Sequence, residues 1–362
     1  MKISRPALLL DKQKCLRNIE RMADKAKRNN LIFRPHFKTH QSRQIGDWFR
    51  QFGVNNITVS SVRMAQYFAA AGWRNITVAF PFNRLEIDDV NELAAKIDLN
   101  ILLIHPESAD FLAKNLKHKA GVFIKIDCGY HRCGILSENP EEIDLVVNAV
   151  SRVEKLVFKG FLTHSGHTYL APTFKQIHAI HEVTKYKMNL LKERYQAQYP
   201  DLIISVGDTP SSSLEENFAG IDEIRPGNFV FYDVMQQQLG ICEAEQIAVT
   251  VACPVVSKNK QRNELTIYGG AVHLSKEHLT GRDGIPKYGL VVKLTKSGWS
   301  SYLNGVYVSS LSQEHGTVKV PFGNFDQFRV GDVLGILPVH SCLTANLMRE
   351  YLTLDGDRLE HL

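Results

Sequence analysis

The chain has 362 residues, 44% hydrophobic and 22% charged, with a formal net charge of +5. These values describe an ordinary globular protein, long enough for one large domain and a smaller one. The basic excess is spread along the chain without a Lys/Arg block, which excludes an obvious nucleic-acid footprint and leaves room for an anionic cofactor or substrate.

At the start of the chain, the apolar stretch from Ala7 to Leu10 is too short for a signal-peptide core. No apolar run reaches the length of a membrane span. The six cysteines, Cys15, Cys128, Cys133, Cys242, Cys253 and Cys342, form no CxxC pair. A reducing, cytoplasmic setting is therefore expected.

Residues 11–29 read as a helix, followed by the candidate strand LIFRPHF from Leu31. Further candidate strands are ITVSS from Ile57, ITVAF from Ile76, NILLI from Asn100 and VFIKID from Val122. FKGFLTH from Phe158, LIISVGD from Leu202 and EIRPG from Glu223 complete eight. Helical patterns lie between strands, as at 84–96, 141–154 and 173–198. Eight such units predict a parallel (β/α)8 barrel of the TIM type. A doubly wound open sheet uses the same units, and the count favours the barrel.

After Ile241 the texture changes to β-rich segments with Gly, Asn and Ser turns and no long helix. The expected division is a barrel over residues 1–240 and an antiparallel β domain over 241–362, with residues 1–10 able to pair with the second domain.

Barrel enzymes keep their chemistry at the C-terminal strand ends. Here those ends carry His36, Lys38 and His40, then Asp127 followed by Cys128 to Arg132. The next carry His164 followed by Ser165 to Tyr169, then Gly207-Asp208-Thr209-Pro210-Ser211, then Arg225-Pro226-Gly227-Asn228. Five polar ends at one mouth point to a site.

His36, Lys38 and His40 share a face if the strand continues through them. A lysine crowded by imidazoles and an arginine is a better amine nucleophile, although a strand-end surface lysine fits the pattern equally. The Gly207–Ser211 turn and the Arg225–Asn228 turn together suit a phosphate, while ordinary helix capping explains the first by itself. His340 and Cys342, two apart after a strand, could share a zinc-type ion. A buried cysteine beside a hydrogen-bonded histidine is the blander alternative.

At these residues the sequence resembles a known family. Arg34-Pro35-His36-Phe37-Lys38-Thr39-His40 is similar to the lysine motif of the D-serine dehydratase and D-threonine aldolase family, metal-activated fold-type III pyridoxal-phosphate enzymes related to alanine racemase. The resemblance continues through Lys125–Gly129 with Arg132, Thr163–His167 with Tyr169, and Gly207–Pro210. It extends to Arg225–Asn228, Leu274-Ser275-Lys276, Leu311–Gly316 and Pro338-Val339-His340-Ser341-Cys342.

The resemblance implies that Lys38 holds the cofactor as a Schiff base and moves the substrate α-proton. It implies that His164 stacks on the pyridine ring and that Arg225 partners the ring nitrogen. Thr209 and the backbone of Gly227 and Asn228 are implied phosphate ligands, with Tyr169 a further contact. Arg132 is implied near the cofactor phenolate or the substrate carboxylate, and His340 and Cys342 as ligands of a divalent metal, zinc before manganese.

The implied activity is lyase chemistry on a D-β-hydroxy amino acid. D-Serine dehydration leads, and D-threonine aldol cleavage or 3-hydroxyaspartate cleavage is the alternative outcome at the same site. His36, His40 and His315 are candidates for tuning that outcome. The family also implies a homodimer. A non-catalytic pyridoxal-phosphate carrier would lack the β domain, and a metal-dependent barrel hydrolase favours HxH where this chain has His36-Phe37-Lys38.

Overall fold

The computed structural model describes residues 3–281 and 284–362. They form two compact units. One comprises Glu20–Lys38 and Asp47–Gly227; the other comprises the N-terminal stretch to Ile19, Thr39–Gly46 and Asn228–Leu362.

In the first unit eight strands run in parallel: β1 (Ile32–Phe33), β2 (Asn56–Val59), β3 (Asn75–Pro81), β4 (Asp98–Leu103), β5 (Ala120–Asp127), β6 (Leu156–Leu162), β7 (Ile203–Val206) and β8 (Glu223–Ile224). The hydrogen-bonded order is β1-β8-β7-β6-β5-β4-β3-β2. A parallel bridge between His36 and Thr58 joins its two ends, so the sheet curls into the expected barrel. Every residue of β5 is buried, as both-face coverage by barrel and helices demands.

The closing seam is short. On one side the Phe37 amide donates to the Thr58 carbonyl (2.8 Å) and the Thr58 amide to the Pro35 carbonyl (2.9 Å). On the other, the Arg34 and His36 amides donate to the Ile224 (3.0 Å) and Pro226 (2.9 Å) carbonyls. The Phe37 ring is buried among Phe49, Phe68 and Trp73, with ring centroids 4.9, 5.0 and 5.1 Å away.

Beyond this seam the structure departs from the alternating pattern. Residues 37–40 turn rather than extend, so His36, Lys38 and His40 do not share one strand face. Lys38 is exposed, while His40 is fully buried in the other unit, its Nδ1 accepting from the Ser42 amide (3.1 Å). The burial of Phe37 is what ends the strand, because its ring anchors the chain at the point where it turns.

Barrel curvature has a visible cause between β5 and β6. Val122 pairs with Phe158 but Phe123 pairs with Gly160, so one extra residue bulges from β6. Gly160 has φ +130°, and a Cβ there would lie 2.1 Å from the Ile203 carbonyl oxygen on β7. Both the backbone conformation and the close approach require glycine.

The second unit is built on a nine-stranded sheet. It includes β9 (Val249–Asn259), β10 (Glu264–Tyr268), β11 (Gly289–Thr295), β12 (Gly298–Leu311), β13 (His315–Lys319), β14 (Val333–Pro338), β15 (Glu350–Thr353) and β16 (Arg358–Glu360). The N-terminal strand Ala7–Leu10 lies between β9 and β15, antiparallel to the first and parallel to the second. The sheet is otherwise antiparallel. Among the described residues no helix is long and apolar enough to cross a membrane.

Gly160→Ala is expected to destabilise the protein by at least about 2 kcal/mol, through φ strain and a backbone clash together. Urea denaturation of the apo-protein measures it.

Candidate active site

Four cationic side chains crowd the C-terminal end of the barrel unit. Lys38, Arg225 and Arg132 all act electrostatically on His36, and Lys38, Arg132 and Lys125 act on His164. Burial first, then these charges, hold both imidazoles well below the ordinary histidine range. His36 and His164 are therefore neutral near pH 7. The Lys38 amide donates to His36 Nδ1 (3.4 Å), which ties the turn to the seam.

Arg225 is buried, one residue past β8. One guanidinium nitrogen donates to Ser205 Oγ and the other to the Thr163 carbonyl (2.6 Å). Ser205 in turn donates to Glu223 Oε1 (2.5 Å), and Glu223 Oε2 accepts from Arg34 Nε (2.6 Å). Burial lowers the Arg225 pKa to about 10, against the pull of Glu223, and the group stays a cation. This chain fixes its position without any solvent-exposed partner.

The His164 ring is oriented by a hydrogen bond from Nδ1–H to the Gly207 carbonyl, which leaves Nε2 without a proton in the neutral ring. Tyr130 stands edge-on to His164 (centroids 5.8 Å, 82°) and stacked against His167 (6.0 Å, 19°). The Arg132 guanidinium lies 5.2 Å from the Tyr130 ring centre. A Cβ on Gly166 would fall 2.4 Å from Tyr130 Cε1, so glycine at 166 makes room for the ring. Asp127 holds the loop bearing Tyr130 and Arg132 by accepting from the Gly129 (2.8 Å) and His131 (3.1 Å) amides.

The short helix Thr209–Leu214 starts beside this cluster. Asp208 caps it, accepting from the Ser211 amide (2.7 Å) and the Thr168 hydroxyl (3.1 Å). The Tyr169 hydroxyl accepts from the Thr209 amide (3.1 Å). Thr209 Oγ1 is buried with no protein partner among the described residues. An exposed lysine, a fixed buried cation, an unprotonated imidazole nitrogen and an unpartnered buried hydroxyl suit pyridoxal phosphate as a donor set.

The His340-Ser341-Cys342 segment lies in the second unit. The sequence pattern predicts the pair on one strand face. Instead β14 ends at Pro338, His340 is the N-cap of the helix Ser341–Met348, and Cys342 lies in its first turn. The helix start, not a strand pleat, brings the two side chains into a hydrogen bond. Burial opposes charge on His340, but the hydrogen bond and charge of Cys342, with Asp233 and Glu277, raise its pKa to about 10. His340 Nδ1 also lies 3.4 Å from Glu277 Oε2. The Cys342 sulfur is reached by Asn228 Nδ2 (3.6 Å) and contacts Thr39 Oγ1 (3.4 Å). Imidazole and thiol donors paired this way suit a divalent metal with open positions. No group of three or more His, Cys, Asp or Glu suited to a metal occurs among the described residues.

Of the predicted residues, Lys38, Arg132, His164, Tyr169, Thr209, Arg225 and Gly227 lie in the barrel unit, and Asn228, His340 and Cys342 in the other. His315 is exposed on β13, its backbone paired with Tyr268. Sequence reasoning included Tyr130 in a strand end without giving it a role, and missed Ser205, Asp233 and Glu277. Only Asp233 carried a local signal, as an N-cap before Val234–Gln238.

Two outcomes test this geometry. Gly166→Ala should displace the Tyr130 ring and lower activity by about tenfold or more, as small misplacements near a reacting centre do; in a Tyr130→Ala background the same change should cost little, as a kinetic double-mutant cycle would record. The second concerns Lys125, whose pKa falls from 10.5 to about 8, chiefly by burial, with Arg225 and Arg132 adding and Cys133 and Cys128 opposing. Between those two values the unfolded chain holds a proton that the folded one lacks, so this contribution to stability rises with pH across that window and is lost below it. Lys125→Met should therefore exceed the wild-type apo-protein in stability at pH 7, on the order of 3 kcal/mol, with the gap closing above about pH 10; urea titrations at several pH values measure it.

Comparison with known proteins shows the family and the fold. Residues 10–234 match the family model "Alanine racemase, N-terminal domain", and residues 248–354 match "Putative serine dehydratase domain". The chain is 31% identical to D-serine dehydratase of Dictyostelium discoideum, over 98% of this chain and 94% of that one. The structure of D-threo-3-hydroxyaspartate dehydratase from Delftia sp. HT23 superposes with a TM-score of 0.92 at 26% identity, covering 100% of this chain and 98% of that one. A mutant of that enzyme has been described in a metal-free form. D-Threonine aldolase from Filomicrobium marinum shares the fold, with a TM-score of 0.81 at 20% identity, over 99% of this chain and 97% of that one. The chain belongs to the D-serine dehydratase and D-threonine aldolase family of pyridoxal-phosphate-dependent lyases, which has metal-dependent members and is built on the alanine racemase-like fold.

Proposed function

We propose that this protein is a D-serine dehydratase, converting D-serine to pyruvate and ammonia with pyridoxal phosphate and a bound zinc ion. The observation that carries the reading is the 31% identity to a D-serine dehydratase across nearly the whole of both chains. The pairing of His340 with Cys342 supports the metal half, and the Lys38, His164, Arg225 and Thr209 arrangement supports the cofactor half.

When bound, pyridoxal phosphate supplies an electron sink at the substrate α-carbon, and the metal supplies a Lewis acid for the β-oxygen. The residues then divide the work. Lys38 binds the cofactor and takes the α-proton. Arg225, a cation held by Ser205 and Thr163, meets the pyridine nitrogen and keeps a proton off it. His164, fixed by Gly207, packs on the ring face. Thr209, Tyr169 and the backbone of Gly227 and Asn228 take the phosphate, and Arg132 takes an anionic oxygen of cofactor or substrate. His340 and Cys342 hold the metal. Loss of the α-proton and the β-hydroxyl leaves an enamine, which tautomerises and hydrolyses to pyruvate and ammonia.

The 27% identity to the Delftia D-threo-3-hydroxyaspartate dehydratase, over 97% of this chain and 94% of that one, favours the same elimination on a substrate with a second carboxylate as the other reading. The protein is expected to act as a cytoplasmic homodimer, and the absence of a disulfide at any of its six cysteines suits that compartment.

Purified protein loaded with cofactor and zinc should release pyruvate and ammonia from D-serine. It should be yellow, and borohydride should fix the cofactor to Lys38 but not to a Lys38→Ala variant. A chelator, or His340→Ala, should remove at least about 99% of the lyase activity while leaving cofactor absorbance in place. Glycine and acetaldehyde from D-threonine in place of pyruvate from D-serine would refute dehydration.

A further inference from the structure

We infer that Asp233 is the positioning residue of the metal turn, setting His340 and Cys342 through the backbone of Ser341. This inference rests on the reading of His340 and Cys342 as metal ligands.

Asp233 is 1% exposed. Its Oδ2 accepts from the Ser341 amide (3.0 Å), the Ser341 hydroxyl (3.3 Å) and Asn228 Nδ2 (2.6 Å), while Oδ1 accepts from the Gln236 amide (3.0 Å). Ser341 is the residue between the two ligands, and one carboxylate oxygen holds both of its polar groups. That contact fixes where the chain turns from β14 into the helix Ser341–Met348, and so fixes the side chains on either side. A main-chain bond from the Met235 amide to the Val339 carbonyl (3.2 Å) ties the same two segments a second time.

Asn228 extends the arrangement to the sulfur. Its Nδ2 lies within reach of Asp233, Ser341 Oγ (3.1 Å) and Cys342 Sγ (3.6 Å). The carboxylate thus orients an amide donor toward the Cys342 sulfur.

Helix capping alone does not need a carboxylate, because asparagine caps as well as aspartate. Capping through Oδ1 while Oδ2 holds Ser341 and Asn228 needs both oxygens as acceptors, which asparagine cannot supply.

That difference provides the test. Metal-free wild-type, Asp233→Asn and Ser341→Ala proteins are titrated with Zn²⁺ against a chromophoric chelator, and with Co²⁺ while the thiolate-to-cobalt absorption band is recorded. Asp233→Asn should weaken Zn²⁺ binding by about 10- to 100-fold and shift or reduce the cobalt band, with little change in the melting temperature of the metal-free protein. Ser341→Ala, which removes only the hydroxyl contact, should weaken binding in the same direction by less. Wild-type affinity and an unchanged band in Asp233→Asn would overturn the proposal. His340→Ala separates the two readings: if it binds zinc as the wild type does, the ligand assignment itself is wrong, whereas its loss of binding beside an unaffected Asp233→Asn sinks only the role given to Asp233.

Discussion

The barrel closes through four main-chain hydrogen bonds around residues 34–37, and Lys38 hangs from that seam. No long ladder holds β1, which has two residues. The seam instead relies on Phe37, whose ring fills a pocket of Phe49, Phe68 and Trp73. Burying such a ring contributes on the order of 2–3 kcal/mol and fixes the backbone one residue before Lys38. The lysine can then be exposed at the mouth without being loosely placed, because its neighbour is among the most deeply packed residues of the unit.

The mouth that surrounds it is rich in cations, set against the carboxylates of Asp127 and Asp208. Lys38, Lys125, Arg132 and Arg225 bring positive charge, and the histidines among them stay neutral because adding protons there would cost burial and repulsion together. Such a site is poorly matched to water alone and well matched to an anionic ligand. Phosphate and carboxylate groups offset the mutual repulsion of these cations. The Arg34–Glu223–Ser205–Arg225 chain shows how the fold tolerates a buried cation: one carboxylate inside the barrel is shared by two arginines, one through a hydroxyl.

The second unit solves the opposite problem. There the buried group is a carboxylate, and Asp233 is satisfied by donors from Asn228, Gln236 and Ser341, with Asn228 reaching on to the Cys342 sulfur. Placing His340 at an N-cap gives it extended backbone, with its carbonyl accepting from the Thr344 amide (3.2 Å), and lets the first turn carry the cysteine beside it. Two side chains that a strand would have aligned by pleat are aligned here by the geometry of a helix start.

The sequence by itself determined the layers and most of the residues. Eight β-branched runs separated by amphipathic segments can bury their apolar faces in few ways, and the barrel is one of them, so β1 to β8 were readable from pattern. The polar residues at their C-terminal ends were readable for the same reason, since a strand end inside a barrel has no apolar surface left to cover. Sequence also singled out the histidine and cysteine near the end of the chain. Tertiary structure alone decided what pattern could not carry. Residues 37–40 keep a strand-like alternation but turn, because the packing of Phe37 is a contact with side chains far along the chain. Tyr130 reads as a loop aromatic until Gly166 is seen to leave space for its ring. Asp233 reads as a helix cap until Ser341, more than a hundred residues later, is found on its carboxylate. Periodicity records which face of an element is buried; it does not record which distant element lies against it, and around Lys38 as around His340 that partner sets where the side chains lie.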